Sequence, residues 1–175
     1  TQDVLGVIPA RYASTRFPGK PLPLVAGLPL VVRVLNNARK AACFSRVVVA
    51  TDDERIARAV KDSGGIAVMT SAAHRSGTDR LAEVARGAKE PFVVNLQGDE
   101  PLLEPEILSR TVRAYLESGL PCGTLAVPLK EEEASPADVV KVVSTPAGRA
   151  LYFSRAPLAG AWHHVGVYLF KRPAA

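Results

Sequence analysis

Cysteine is scarce in this 175-residue chain: Cys43 and Cys122 stand far apart and form no C-x-x-C pair. That usage excludes a disulfide framework and points to a reducing, cytoplasmic setting, with both thiols expected to be free and buried. No run of 18 apolar residues occurs, which argues against a membrane span. The start of the chain, with Asp3 and Pro9 flanking a brief apolar run, lacks a signal-peptide pattern. Aromatic residues make up only 6% and do not alternate with a basic run, so the stacking mode of single-strand nucleic-acid binding has no support. Repeats and low-complexity stretches are also missing. What is present is 47% apolar residues, enough for a core that removes roughly 70% of the unfolded surface from water. One domain spanning 1–175 is the expectation. The net charge of +5 favours an anionic partner, and a nucleotide over a polymer.

The apolar pattern falls into alternating strands and helices. Val4 to Ile8 reads as a buried strand that stops at Pro9. Helical spacing follows from Leu30 to Ala42, with Pro29 at its start. Arg46–Ala50 is a β-branched run of the kind covered on both faces, and Thr51-Asp52-Asp53 closes it with a helix cap. A helix to about Asp62 ends at Ser63-Gly64-Gly65. Ile66–Thr70, a helix capped by Thr78, Phe92–Leu96 and a helix over Glu104–Ser118 continue the beat. This is a doubly wound α/β pattern with a mainly parallel sheet, a Rossmann-like arrangement. From Gly123 the pattern changes to strands at 123–128, 139–144, 150–154 and 165–170, predicted as antiparallel additions.

Ligands of such sheets bind where strands end, so the loops there carry the candidates. The first, Pro9-Ala10-Arg11-Tyr12-Ala13-Ser14-Thr15-Arg16-Phe17-Pro18-Gly19-Lys20-Pro21-Leu22, gathers three cations, two hydroxyls and a sharp turn. Positive charge in a bend after a core strand predicts a polyphosphate cradle, although the same composition suits a merely solvated loop. It is not a Walker A loop, because the earlier glycine and the metal-holding Ser/Thr are both missing. The second is Asn95-Leu96-Gln97-Gly98-Asp99-Glu100-Pro101, where Asp99 offers a hard oxygen suited to Mg²⁺, or a simple turn cap. Third is His74-Arg75-Ser76-Gly77-Thr78-Asp79-Arg80, a helix N-terminus with free N–H donors. Fourth are Tyr152-Phe153-Ser154-Arg155 and His163-His164-Val165-Gly166-Val167-Tyr168. Adjacent histidines on a strand face opposite ways, which rejects a zinc pair.

Taken together, these segments resemble the 3-deoxy-manno-octulosonate (Kdo) cytidylyltransferases, with CMP-sialic acid synthetases similar but looser. The resemblance implies an enzyme that transfers CMP from CTP to Kdo with release of pyrophosphate, activating the sugar for lipopolysaccharide synthesis. A CMP-sialic acid synthetase, another sugar nucleotidyltransferase, or a nucleotide-binding protein without catalysis are the alternatives. It implies Arg11, Arg16, Lys20 and Asp99 as catalytic groups, with Asp99 holding Mg²⁺. Ala10, Arg11, Ser14, Lys20, Arg75 and Ser76 would bind CTP. Gln97, Arg155 and His164 would bind the sugar. A homodimer is also implied, with no nucleic-acid or membrane partner. Measured against the family, only Leu158–Trp162 stands where an arm is expected. A pairing helix and a second metal-binding aspartate expected after Phe170 have no counterpart in the sequence.

Overall fold

The computed structural model describes residues 3–13 and 18–172. They form two compact units, Thr1–Gly123 with Tyr168–Ala175, and Thr124–Val167.

The first unit is α/β. Strands β1 (Val4–Ala10), β4 (Arg46–Thr51), β5 (Ile66–Met69) and β6 (Phe92–Asn95) lie parallel in the order β5-β4-β1-β6. The last residues of β10 (Trp162–Lys171) pair antiparallel with β6, Tyr168 opposite Asn95. β1 is buried along nearly its whole length, as a central strand covered on both faces must be. One face carries α3 (Gly77–Arg86), whose Leu81 joins Leu5, Val7, Val48, Ala50 and Val93 in a core cluster. α1 (Leu30–Ala38), α2 (Glu54–Asp62) and α4 (Pro105–Ser118) turn their apolar stripes inward too, burying Leu35, Ile56 and Leu108 almost completely. A small hairpin, β2 (Leu24–Val25) and β3 (Leu28–Pro29), precedes α1.

The chain passes from β1 outward to β4 and β5, then returns to β6 on the other side of β1. That reversal is a topological switch point, and it opens the crevice at the carboxyl ends of β1 and β6. The doubly wound, mainly parallel reading of the sequence is therefore right, with three local corrections. β1 does not stop at Pro9 but runs through it to Ala10. Val7 accepts from Leu96 N, so Pro9, two residues on, turns its missing N–H toward β6. There the paired strand has already ended at Asn95, and no ladder bond is lost. α1 ends at Ala38, because Lys40 N→Asn37 O (3.1 Å) and Ala41 N→Ala38 O (3.0 Å) tighten its last turn before Ala42. The cap of α3 is Ser76 instead of Thr78: its Oγ accepts from Asp79 N while the Asp79 carboxylate accepts from Ser76 N, a capping box.

The regular elements of the second unit are strands apart from a single 3₁₀ turn. It holds most of β7 (Cys122–Pro128), the turn at Glu131–Glu133, β8 (Lys141–Ser144), β9 (Ala150–Ser154) and the first part of β10. β8 pairs antiparallel with both β9 and β10, as the sequence pattern foretold. The expectation of two buried thiols holds only in part. Cys43 is half-buried, and burial pushes its thiol up, whereas Cys122 is exposed.

Candidate functional site

In the first unit the candidate residues gather at the carboxyl edge of the sheet because the parallel strands end together. Ala10 closes β1 and is buried, and Arg11 next to it is exposed. Ser14 and Arg16 lie outside the described residues. The loop closes on itself where Gly19 N donates to Tyr12 O at 2.8 Å. Gly19 has φ +72°, and a Cβ there would sit 3.0 Å from the Tyr12 ring, so only glycine fits this closure. On α2, the Arg55 guanidinium stands 3.4 Å from the Tyr12 ring centroid and is itself held by Asp53, the cap of that helix. A cation over a tyrosine face is attracted by the ring quadrupole, so the loop is tied to its neighbour helix.

The closure brings Lys20 onto Asp99, seventy-nine residues away in sequence, as an ion pair between Nζ and Oδ2. Both side chains remain nearly half exposed, at 46% and 42%. An exposed pair of this kind contributes about 0–1 kcal/mol, so either partner is available to a ligand at little cost. Gly98 lets the β6 loop come this close: a Cβ there would lie 3.1 Å from Pro9 O. The arrangement suits a hard divalent cation in part. Asp99 presents one accessible carboxylate, and Mg²⁺ commonly takes one or two carboxylates and completes its shell with substrate phosphates. Among the described residues no cluster of three or more His, Cys, Asp or Glu could hold a metal by protein ligands alone.

At the start of α3, Ser76 spends its hydroxyl and its N–H on Asp79, at 2.7 and 3.0 Å. The hydrogen bond from Ser76 holds the Asp79 carboxyl below its usual range. The part of this segment open to a ligand is the exposed Arg75 side chain and the first-turn N–H groups that a helix cannot satisfy internally. Behind it, His74 Nε2 meets Glu83 Oε2, which also accepts from Ser71 N at 3.0 Å, and the His74 contact lowers the Glu83 carboxyl. Gln97 is half-buried beyond the end of β6.

In the second unit, His164 on β10 is 8% exposed. Thr124 Oγ1 donates to Val167 O at 2.7 Å and meets His164 Nε2 at 2.8 Å. A hydroxyl whose hydrogen is spent can only accept, so Nε2 carries the imidazole proton. Burial pushes the His164 imidazole down, so it is neutral at pH 7. His163 pairs instead with Glu133 at 3.2 Å, in keeping with opposite faces. Arg155 follows β9, and its Nη1 donates to Ala137 O at 2.9 Å while the residue stays exposed. Its backbone is fixed from below by Lys141, fully buried, whose Nζ donates to Pro136 O (2.6 Å) and Arg155 O (3.1 Å).

A cytidylyltransferase family profile matches residues 5–170. The chain belongs to the cytidylyltransferase family. Among curated members, the 3-deoxy-manno-octulosonate cytidylyltransferase of Anaeromyxobacter sp. (strain K) is 51% identical, covering 97% of this chain and 74% of that protein. The enzyme of the same name from Myxococcus xanthus (strain DK1622) is 46% identical, over 96% and 72%. Of solved structures, a CMP:2-keto-3-deoxy-manno-octonic acid synthetase complexed with CTP superposes with TM-score 0.91 at 39% identity, covering 97% of this chain and 74% of that one. A cytidylyltransferase from Leptospira borgpetersenii, with TM-score 0.64 at 22% identity, shares the fold.

Within this cytidylyltransferase, sequence reasoning missed several supports. Lys141 was read only as part of a strand, because a lysine between valines gives no sign that it is fully buried. Arg80, 2% exposed, joins Asp52 at 2.9 Å and also reaches Thr70 Oγ1, binding the start of α3 to the ends of β4 and β5. Its position in the first turn of α3, where a cation opposes the helix dipole, was the available signal. The Arg55–Tyr12 contact had none, since nothing local links the two residues.

Proposed function

We propose that this chain transfers CMP from CTP to 3-deoxy-D-manno-octulosonate, giving CMP-Kdo and pyrophosphate. The observation that carries the reading is the meeting of Lys20 with Asp99 at the β1/β6 switch point. A cation suited to phosphate and a carboxylate suited to a divalent metal meet there, in a family whose members of 46–51% identity bear the name of this activity.

Arg11, Arg16 and Lys20 bind the triphosphate, with Lys20 released from Asp99 as the phosphates arrive. Arg75 and the start of α3 receive the cytosine. Arg155 is suited to the carboxylate of a sugar acid through its planar fork, and Gln97 and His164 are each suited to a hydroxyl. The anomeric hydroxyl gives its proton up to water as its oxygen forms a bond to the α-phosphorus, the bond from that phosphorus to the β-phosphate oxygen breaks, and pyrophosphate leaves in line. Asp99 would hold a Mg²⁺ ion that neutralises charge on the departing pyrophosphate. The product is an activated sugar of the kind used for lipopolysaccharide.

A homodimer is part of this reading. It is supported by β9, an edge strand of the second unit that exposes Leu151 (62%), Tyr152 (60%) and Phe153 (45%). Apolar side chains on an open edge need covering. Two free thiols support a cytoplasmic setting, and no helix among the described residues is long and apolar enough to cross a membrane.

Pyrophosphate release by the complete protein, measured with CTP alone, with CTP and Kdo, and with CTP and sialic acid, tests the proposal. Release that depends on Kdo is expected. Equal release with sialic acid would overturn the sugar assignment, and no release with either sugar would overturn the activity.

A further inference from the structure

Asn95, the last residue of β6, is 2% exposed, and its side-chain Oδ1 has no hydrogen-bond partner among the described residues. The other buried polar side chains of its unit are matched. Thr51 Oγ1 accepts from Asp53 N, Arg80 meets Asp52, and Glu90 receives both arms of Arg46. Loose packing therefore does not explain Asn95. Buried polar atoms in native proteins nearly always have a partner, and an orphan calls for a specific reason.

The strand geometry shows where the atom lies. Val93, two residues earlier, packs in the cluster formed with Leu81 and Ala88. Side chains on a strand alternate, so Asn95 points to that same face, which is covered by α3. On the sheet it stands between Val7 of β1 and Tyr168 of β10. α3 begins at this end of the face, where a Cβ on Gly77 would lie 3.4 Å from the Pro9 side chain. Asn95 is thus at the carboxyl edge of the sheet, two residues before Gln97 and four before Asp99.

A carbonyl oxygen accepts hydrogen bonds and repels anions, so neither the triphosphate nor the carboxylate of a sugar acid suits it. Of the two substrates in the proposed reaction, on which this inference rests, the sugar acid brings the larger set of hydroxyl donors. The cytosine amine is the other donor, and the KM for CTP tells the two apart. We infer that Asn95 is a specificity residue, its Oδ1 accepting a hydrogen bond from a hydroxyl of the sugar acid. The site leaves this acceptor unsatisfied until the sugar enters, which disfavours any analogue that lacks the hydroxyl.

Asn95→Leu tests the inference, because leucine nearly keeps the shape and removes the orphan. Relieving a buried unsatisfied acceptor does not destabilise the protein without ligand, so its melting temperature should hold or rise. The KM for Kdo should rise roughly 3- to 30-fold, the loss of one hydrogen bond, with the KM for CTP unchanged. Asn95→Ala, which leaves space instead of filling it, should raise the Kdo KM as well. Unchanged Kdo KM in both variants, a rise confined to the CTP KM, or a fall in melting temperature for Asn95→Leu without a change in Kdo KM would overturn it. If the parent protein turns over CTP with Kdo and the variants behave in one of those ways, only Asn95 is misassigned. A parent that releases no pyrophosphate overturns the functional reading and this inference together.

Discussion

The two units of this cytidylyltransferase hold their candidate groups in opposite ways. In the first, Lys20 and Asp99 meet at the surface and satisfy mainly each other. In the second, His164 is buried against Thr124, and the backbone of Arg155 is anchored by a fully buried lysine. The contrast follows from what each would bind. A polyphosphate and a cation need charges that can change partners quickly, and a surface ion pair exchanges at little cost. A sugar needs donors and acceptors at fixed positions, which only packing and supporting hydrogen bonds provide.

The sharpest way to break this comparison is Lys20→Ala. Turnover should fall on the order of 100-fold or more, as when a group acting on developing charge is removed. Stability should change by less than about 1 kcal/mol, the ordinary worth of an exposed pair. Pyrophosphate release and urea denaturation on the same preparation read both. A loss of several kcal/mol would make the pair structural.

Lys141→Met should do the reverse, costing fold and geometry together. Removing Nζ takes the hydrogen bonds of a fully buried ammonium from Pro136 O and Arg155 O, at about 1.5–3 kcal/mol each for a charged donor. The melting temperature should fall clearly, and the KM for the sugar should rise while that for CTP stays put. An equal rise in both would mean that Lys141 supports the fold without positioning Arg155.

His164 gives the smallest and most specific effect. Burial lowers its imidazole below the ordinary value near 6.5, so the unfolded chain takes up the proton more readily. The stability that depends on neutral His164 is complete above about pH 6.5 and is lost as pH falls from there through the lowered folded value. In His164→Gln that loss is absent. The stability advantage of the parent over the variant should therefore narrow between pH 8 and pH 5.5 in denaturant titrations. An advantage that grows toward acid would contradict a buried neutral histidine.

Much of this was legible in the sequence because it is local. Helical spacing placed α1 to α4, β-branched runs placed the parallel strands, and Thr51-Asp52-Asp53 read correctly as the segment that caps α2. The meeting of Lys20 and Asp99 was also predictable, because parallel strands on either side of a switch point end in the same crevice. Pro9 misled because a strand tolerates proline wherever the neighbouring strand has already ended, which is a matter of register. Thr78 misled because two hydroxyl residues lie near the start of α3, and only the position of Asp79 decides which one caps. Lys141 and Asn95 were beyond reach. Their burial depends on packing between distant segments, and their residue types normally lie at the surface.

The central claim is that these loops direct attack at the α-phosphorus of CTP. Phosphorus NMR on the complete protein with CTP, Kdo and Mg²⁺ tests it directly. The three resonances of CTP should give way to one phosphodiester signal and one pyrophosphate signal in equal molar amounts of product, and Asp99→Asn should leave the CTP spectrum unchanged over the same period. Appearance of CDP with inorganic phosphate would place the broken bond at the γ-phosphate and contradict the account.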